Sequence, residues 1–200
     1  EFYDRDHEKG RINHNEAEFR AYYILQHVGN KDKVEIPSYV RELSSRKDIL
    51  NSPIMQEALK LWSAWKRDDS QQFFGIMKKS QNVLICCQAF QYVGYMRYSA
   101  IQKLHRVLKS QTGVVYFPLT DVSNLLGCDN VETAANVCVE FGLTVQVQEG
   151  TGTQCVLFKK ENRPVQPDTI KKRLNEVLVD KKRGAKSERT RIAVVEGKIS

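Results

Sequence analysis

The fold is decided by residues 115–160, which read VYFPLTDVSNLLGCDNVETAANVCVEFGLTVQVQEGTGTQCVLFKK. Phe117–Leu119 are expected to form a short extended entry. Three apolar residues follow at helical spacing, namely Val122, Leu125 and Leu126. Because glycine commonly ends a helix, the pattern predicts one short helix that stops at Gly127.

A second helix and a hairpin complete this segment. Asp129 with Glu132 three residues later is typical of a capping box and predicts the start of the helix. Its buried stripe is expected to be Val131, Ala134, Ala135, Cys138 and Phe141. After Gly142 the apolar period changes to two, the turn at 149–152 reverses the chain, and a second strand returns over 155–158. Two helices followed by a hairpin are typical of a winged helix, which presents a surface for binding.

Upstream of this segment the sequence predicts a succession of helices joined by short loops. Asn15 with Glu18 indicates a capping box at the first helix. Ser52 followed by Pro53 marks the start of the third helix. The other predicted helices are Pro37 to Arg46, Ser70 to Lys79, and Asn82 to Ser110, the last either one helix kinked at Gly94 or two abutting helices.

These patterns predict a mainly α fold, a stacked helical repeat followed by a winged-helix subdomain. The expected division is a helical stack at 1–112, a winged helix at 113–160, and a basic, partly helical extension at 161–200. No sequence period names a repeat type. Because Glu1 begins in what resembles the tail of an earlier helix, the stack is expected to be the C-terminal part of a longer helical domain.

The net charge of +7 is concentrated at the C-terminal end of the chain. Residues 1–158 carry 18 Lys or Arg against 18 Asp or Glu, whereas residues 159–200 carry 13 against 6. Such a basic segment is typical of contact with a polyanion, so we expect nucleic-acid binding there. The candidate residues are Lys159, Lys160, Arg163, Lys171, Lys172, Arg173, Lys181, Lys182 and Arg183. A solvated extension whose charge serves solubility explains the same composition, and both interpretations stay open.

Neither an active site nor a metal or cofactor site is indicated. The four histidines are scattered, and the five cysteines lie in apolar patterns without CxxC spacing, so reduced core thiols are expected. The aromatic residues at helical spacing are expected to fill helix interfaces rather than stack on bases: Trp62, Trp65, Phe73, Phe74, Tyr92, Tyr95 and Tyr98. The second winged-helix helix contains no Lys or Arg and two acids, Glu132 and Glu140, which disfavours entry into the major groove of DNA.

Several motifs resemble a known family of scaffold proteins. The run NEAEFRAYYIL at 15–25, YFPL at 116–119, and the pattern from Leu125-Leu126-Gly127 through Cys138 to Phe141-Gly142-Leu143 look like the suppressor-of-actin/GANP family. A helical stack ending in a winged helix is also similar to PCI domains in general. The resemblance covers about residues 1–160 and implies a scaffold. Because no catalytic constellation is visible in the sequence, we also expect that the chain is not an enzyme.

The resemblance implies a nuclear scaffold subunit of the pore-associated complex that couples transcription to mRNA export. Its implied partners are a second PCI-domain protein, a small acidic proteasome-lid-type protein, and RNA or DNA. The implied location is the nuclear envelope at the pore. The alternative is a PCI subunit of a proteasome-lid, signalosome or translation-initiation assembly, which differs in its partners and is not separated by these residues.

Overall fold

The computed structural model describes residues 13–29, 36–109 and 113–165. Most of them are helical. The helices are α1 (Glu16–His27), α2 (Ile36–Glu42), α3 (Lys47–Leu50), α4 (Pro53–Lys66), α5 (Ser70–Lys79), α6 (Val83–Phe90), α7 (Val93–Leu108), α8 (Leu119–Leu125) and α9 (Val131–Glu140). A 3₁₀ turn, Leu43–Ser45, follows α2. The strands are β1 (Val115–Pro118), β2 (Thr144–Val147) and β3 (Gln154–Phe158).

The three strands form one antiparallel sheet in the order β1-β3-β2. In this register Val115 lies opposite Phe158, and Val145 lies opposite Val156. The helices α8 and α9 precede the β2–β3 hairpin, so residues 115–158 form a winged helix. The predicted fold class is confirmed: the chain is mainly helical with a small three-stranded sheet.

Side-chain caps fix the starts of the central helices. The Ser52 hydroxyl accepts a hydrogen bond from the Met55 N–H at 3.4 Å, and Pro53 occupies the first helical position, as the sequence predicts. Asp69 accepts from the Gln72 N–H at 2.9 Å and so starts α5. The predicted bounds of α5 are confirmed, because this carboxylate satisfies one of the first free N–H groups of the helix.

Two predicted capping boxes are wrong. Asn15 stands before α1 but makes no side-chain cap, and the carboxylate of Glu18 instead accepts the Tyr22 hydroxyl. Asn130, one residue after the predicted Asp129, starts α9 by accepting from the Thr133 N–H at 2.7 Å. The side chains of Asp129 and Asn130 both carry an oxygen that can cap a helix. The extended backbone at Asn130 determines that this residue is the cap.

Two other boundaries differ from the predicted helices. The α2 helix ends at Glu42, before the predicted Arg46, because the chain tightens into the 3₁₀ turn. The predicted 82–110 segment is two abutting helices, and it breaks at Tyr92 rather than at Gly94. The Tyr92 hydroxyl donates to the Leu25 carbonyl at 2.7 Å, so this break is fastened to α1.

The molecule has two hydrophobic cores, and α7 contributes to both. The stack core includes Ile24, Leu25, Met55, Leu61, Phe73, Phe74, Met77, Ile85, Val93 and Met96. The winged-helix core includes Ala100, Ile101, Leu119, Leu126, Ala134, Cys138, Phe141, Val156 and Phe158. The first half of α7 therefore packs into the stack and its second half into the winged helix. The predicted boundary at 112/113 stays a prediction.

Most of the predicted core aromatic and cysteine residues are buried or partly buried in the two cores. Phe73 and Phe74 are almost fully buried, and the side chains of Trp62, Trp65 and Tyr92 pack against the same core. Tyr95 differs from the other predicted core aromatics because it is 44% exposed. All five cysteines are free thiols, and four of them are buried, namely Cys86, Cys128, Cys138 and Cys155.

Candidate nucleic-acid interface

The winged helix itself carries no cation. Residues 113–158 contain no Lys, Arg or His, and their five carboxylates are Asp121, Asp129, Glu132, Glu140 and Glu149. A polyanion is repelled by such a surface. Any contact with phosphates must therefore be made by the residues that flank the winged helix.

The segment after β3, residues 159–165, is called the strap here because it runs back over α7. The Nε2–H of His105 donates to the Lys159 carbonyl at 3.0 Å; the acceptor is a carbonyl, so Nε2 carries the proton. Near the other end, the Tyr98 hydroxyl lies 3.5 Å from the Pro164 carbonyl. The Val165 N–H donates to the Phe141 carbonyl at 2.9 Å. These contacts hold the strap beside α7 at both ends.

A cavity of about 350 Å³ lies between the C-terminal half of α7 and the strap. We call it the basic groove, and its lining residues are Gln102, His105, Arg106, Lys109, Arg163 and Pro164. Three of the six are Lys or Arg, and none is a carboxylate. The groove therefore combines donors for phosphate oxygens with a concave shape.

The three cations of the groove are available to a ligand. Arg106, Lys109 and Arg163 are exposed, and within the described part of the chain none of them forms an ion pair. The only carboxylate of the strap is Glu161, which is exposed. Unpaired cations can attract an incoming phosphate without first breaking an ion pair.

Other cations of α7 are already committed to the fold. The Nζ of Lys103 lies 2.9 Å from the Asp68 carboxylate. Arg97 is buried and donates to the carbonyls of Leu126 and Gly127 at 3.0 and 3.3 Å. Arg97 therefore fastens the stack to the end of α8, and its charge is not free to hold phosphate.

The comparison with protein families gives a match over most of the chain. The model of the SAC3/GANP family matches residues 1–147. The chain belongs to the SAC3/GANP family. This membership supports a role in the nuclear mRNA export machinery. The family is a scaffold family and is not known as enzymatic. The match includes the α7 side of the basic groove, whereas β3 and the strap lie beyond the matched residues.

For this SAC3/GANP chain, the structure places three of the nine predicted nucleic-acid residues. Lys159, Lys160 and Arg163 lie on the strap, and Arg163 lines the basic groove. The other six lie outside the described residues: Lys171, Lys172, Arg173, Lys181, Lys182 and Arg183.

Arg106 and Lys109 are the groove residues that the sequence analysis missed. Counting charge over 1–158 as a whole gave neutrality, which concealed a local surplus. Residues 70–120 contain no Asp or Glu and six cations, namely Lys78, Lys79, Arg97, Lys103, Arg106 and Lys109. A charge count in shorter windows would have marked the end of α7.

The described residues bring together no metal-ligand cluster, and two of their buried thiols are held protonated. No set of three or more His, Cys, Asp or Glu there could hold a metal ion. Burial raises the pKa of Cys138 to about 12 and also raises the pKa of Cys128, so both thiols are protonated and poor nucleophiles at neutral pH. None of the helices described in the structure combines the length and apolar character that a membrane span requires.

Proposed function

We propose that this SAC3/GANP chain is a scaffold subunit of a nuclear-pore-associated mRNA export complex and contacts RNA through the basic groove. The single observation that carries the proposal is the groove itself: Arg106 on α7 and Lys109 directly after it line the same cavity as Arg163 from the strap, without a carboxylate in the lining. The family match supports the export role over the alternative of a proteasome-lid, signalosome or translation-initiation subunit.

The charge distribution favours a single strand over double-stranded DNA. A duplex is read by a helix in its major groove, and α9 supplies two acids and no Lys or Arg for such a contact. A basic groove that follows a flexible backbone binds single strands with weak sequence preference and strong salt dependence. Messenger RNA has the chemistry that this groove requires.

We assign the second PCI-domain protein to the surface of the winged helix. Two valines on neighbouring elements are exposed there, Val139 on α9 by 60% and Val147 on β2 by 54%. The β2 strand is also an edge of the sheet, with one side open to a partner. The carboxylates of this subdomain direct the small acidic lid-type protein to a different surface.

Copurification and crosslinking test the proposal together. The 200-residue chain, recovered from nuclear extract with its partners, is irradiated with bound RNA, and the crosslinked peptides are identified by mass spectrometry. We expect a PCI-domain protein among the partners and crosslinks within residues 102–109 and 159–165. Recovery of proteasome-lid, signalosome or initiation-factor subunits would favour the alternative assembly. Crosslinks confined to the winged helix would contradict the basic groove.

A further inference from the structure

Tyr95 is an aromatic side chain whose exposure the two cores do not explain. Seven aromatics at helical spacing were expected to fill helix interfaces, and Tyr95 is the one among them that is exposed, by 44%. Its ring lies 5.9 Å from the ring of Trp65, so it has one aromatic neighbour and is held in place while part of it faces solvent.

The position of Tyr95 on α7 places it in line with the basic groove. Tyr95 and Arg106 are eleven residues apart, which is about three turns of helix, so both lie on the same face. Gln102 and Lys109 fall on this face as well, within roughly 40° of Tyr95. The line of four side chains therefore starts at an exposed ring and ends at two exposed cations.

The neighbours of this face leave it open between two borders. On one side, Tyr98 and His105 are covered by the strap. On the other side, Ser99 donates to the Asp68 carboxylate, and Lys103 forms its ion pair with the same group. The face between them has no carboxylate among its own residues, 95, 102, 106 and 109.

We infer that Tyr95 is a base-stacking residue, and that a single-stranded nucleic acid runs along α7 with its phosphates in the basic groove and one base on the Tyr95 ring. This inference rests on the proposed RNA contact and adds its path along the helix. The rise from Tyr95 to Arg106 is about 16 Å at 1.5 Å per residue. About five nucleotides span that distance at the 3.4 Å rise of a stacked strand. Every base has an aromatic face, so the site accepts any sequence.

The test uses the 200-residue chain and a set of short oligouridines in which a single 2-aminopurine is moved along the strand. Stacking on a tyrosine ring quenches 2-aminopurine, whereas uridine neighbours stack on it weakly. We expect the wild type to quench the probe, most strongly at positions that leave about five nucleotides on one side to reach the groove, because only these can stack on Tyr95 while the phosphates contact the cations. Tyr95→Ala should abolish this quenching and weaken binding by about 5-fold or more. Its salt dependence should stay unchanged because no phosphate contact is lost.

Three variants control for folding and exposure. Tyr95→Phe keeps the ring and should keep both quenching and affinity. Tyr95→Leu retains apolar packing on Trp65 but removes the stacking ring, so it should behave as Tyr95→Ala even if the alanine variant is less stable. Tyr23→Ala removes a ring of similar exposure, 38%, on α1 and should leave binding unchanged.

The failures of the two proposals are distinguishable. If Tyr95→Ala and Tyr95→Leu bind and quench like the wild type while reversing Arg106, Lys109 and Arg163 weakens binding, the stacking site is wrong and the groove stands. If the wild type does not bind the oligouridines, both proposals fail. If the Tyr95 variants keep RNA binding but lose the copurifying partner protein, the ring belongs to a protein interface, and the stacking inference is overturned.

Discussion

The winged helix and the basic groove beside it have opposite charges, although α7 both packs into the winged-helix core and lines the groove. Residues 113–158 carry five carboxylates and no Lys or Arg, whereas the basic groove presents Arg106, Lys109 and Arg163 without an acid in its lining. A winged helix is commonly associated with a recognition helix in the DNA major groove. In this molecule the groove cations lie at the end of α7, which precedes the winged helix in the chain, and on the strap, which follows it. The winged helix therefore positions the two sides of the groove and does not contribute its cations.

The position of α7 is fixed because this helix packs into both hydrophobic cores. Met96 belongs to the stack core, Ile101 belongs to the winged-helix core, and Arg97 between them holds the end of α8 through two carbonyls. The backbone that carries the exposed cations at the end of α7 is therefore held by packed neighbours, which lowers the cost of ordering it on binding.

The largest change in stability is expected at Ile101, a residue of the winged-helix core that lies on α7, the helix that also lines the groove. Ile101→Ala removes a fully buried side chain and should lower the free energy of unfolding by about 2–5 kcal/mol, measured by urea denaturation. Val107→Ala on the same helix is the matched control, because Val107 is 80% exposed and its loss should cost little. Equal losses in the two variants would show that Ile101 is not packed in the winged-helix core as described.

Gly127 lies where the winged helix contacts the helical stack, and a substitution there tests this contact. Its φ is +59°, and an added Cβ would lie 2.7 Å from Cγ of Phe74, so Gly127→Ala should destabilise the protein by about 1–3 kcal/mol. Gly75→Ala on α5 is the matched control, since nothing lies within 4 Å of its added Cβ and helical Ala is favoured over Gly by about 0.5–1 kcal/mol. Thermal melts should shift in opposite directions, and a stabilising Gly127→Ala would contradict this contact.

The buried Cys138 thiol of the winged-helix core should make the free energy of unfolding fall at alkaline pH. Burial raises the pKa of Cys138 to about 12, above the roughly 8.5 of an exposed thiol. The folded state therefore holds a proton that the unfolded state releases, so this contribution is complete below about pH 8.5 and falls as pH rises toward 12. Urea denaturation at several pH values should show a steeper loss for the wild type than for Cys138→Ala. Parallel curves would mean that the thiol is not buried in this way.

The smallest effect is expected from the winged-helix surface. The double change Glu132→Lys and Glu149→Lys makes this subdomain less acidic, and both residues are exposed. If RNA lies in the groove, these charges act across solvent and are screened beyond about 8–10 Å, so affinity in 0.15 M salt should change by less than about twofold. A large gain in affinity would instead place the nucleic acid on the winged helix.

Local patterns were sufficient to predict the order of the elements but not the site. Ser52-Pro53 and the glycines at 127 and 142 mark helix ends through local chemistry, and the structure confirms them. The basic groove could not be read in the same way, because His105 and Lys159 are separated by 54 residues in the chain and meet only through the return of the strap. Half of the site was visible as a basic segment. The other half shows in the sequence only as a local excess of cations near the end of α7, and its position beside the strap required the packing of α7.

The most direct test of the basic groove is a comparison of two triple charge reversals in RNA titrations at several salt concentrations. One variant changes Arg106, Lys109 and Arg163 to Glu. The control changes Arg41, Lys47 and Lys60 to Glu, exposed cations of the stack that alter the net charge equally. Loss of three phosphate contacts should lower the slope of log affinity against log salt by roughly 2 units, which corresponds to about 100-fold weaker binding at 0.1 M salt. We expect this loss in the groove variant, and less than about threefold in the control by Debye screening. Equal losses in both variants would show that net charge rather than the groove binds RNA, and would contradict the central claim.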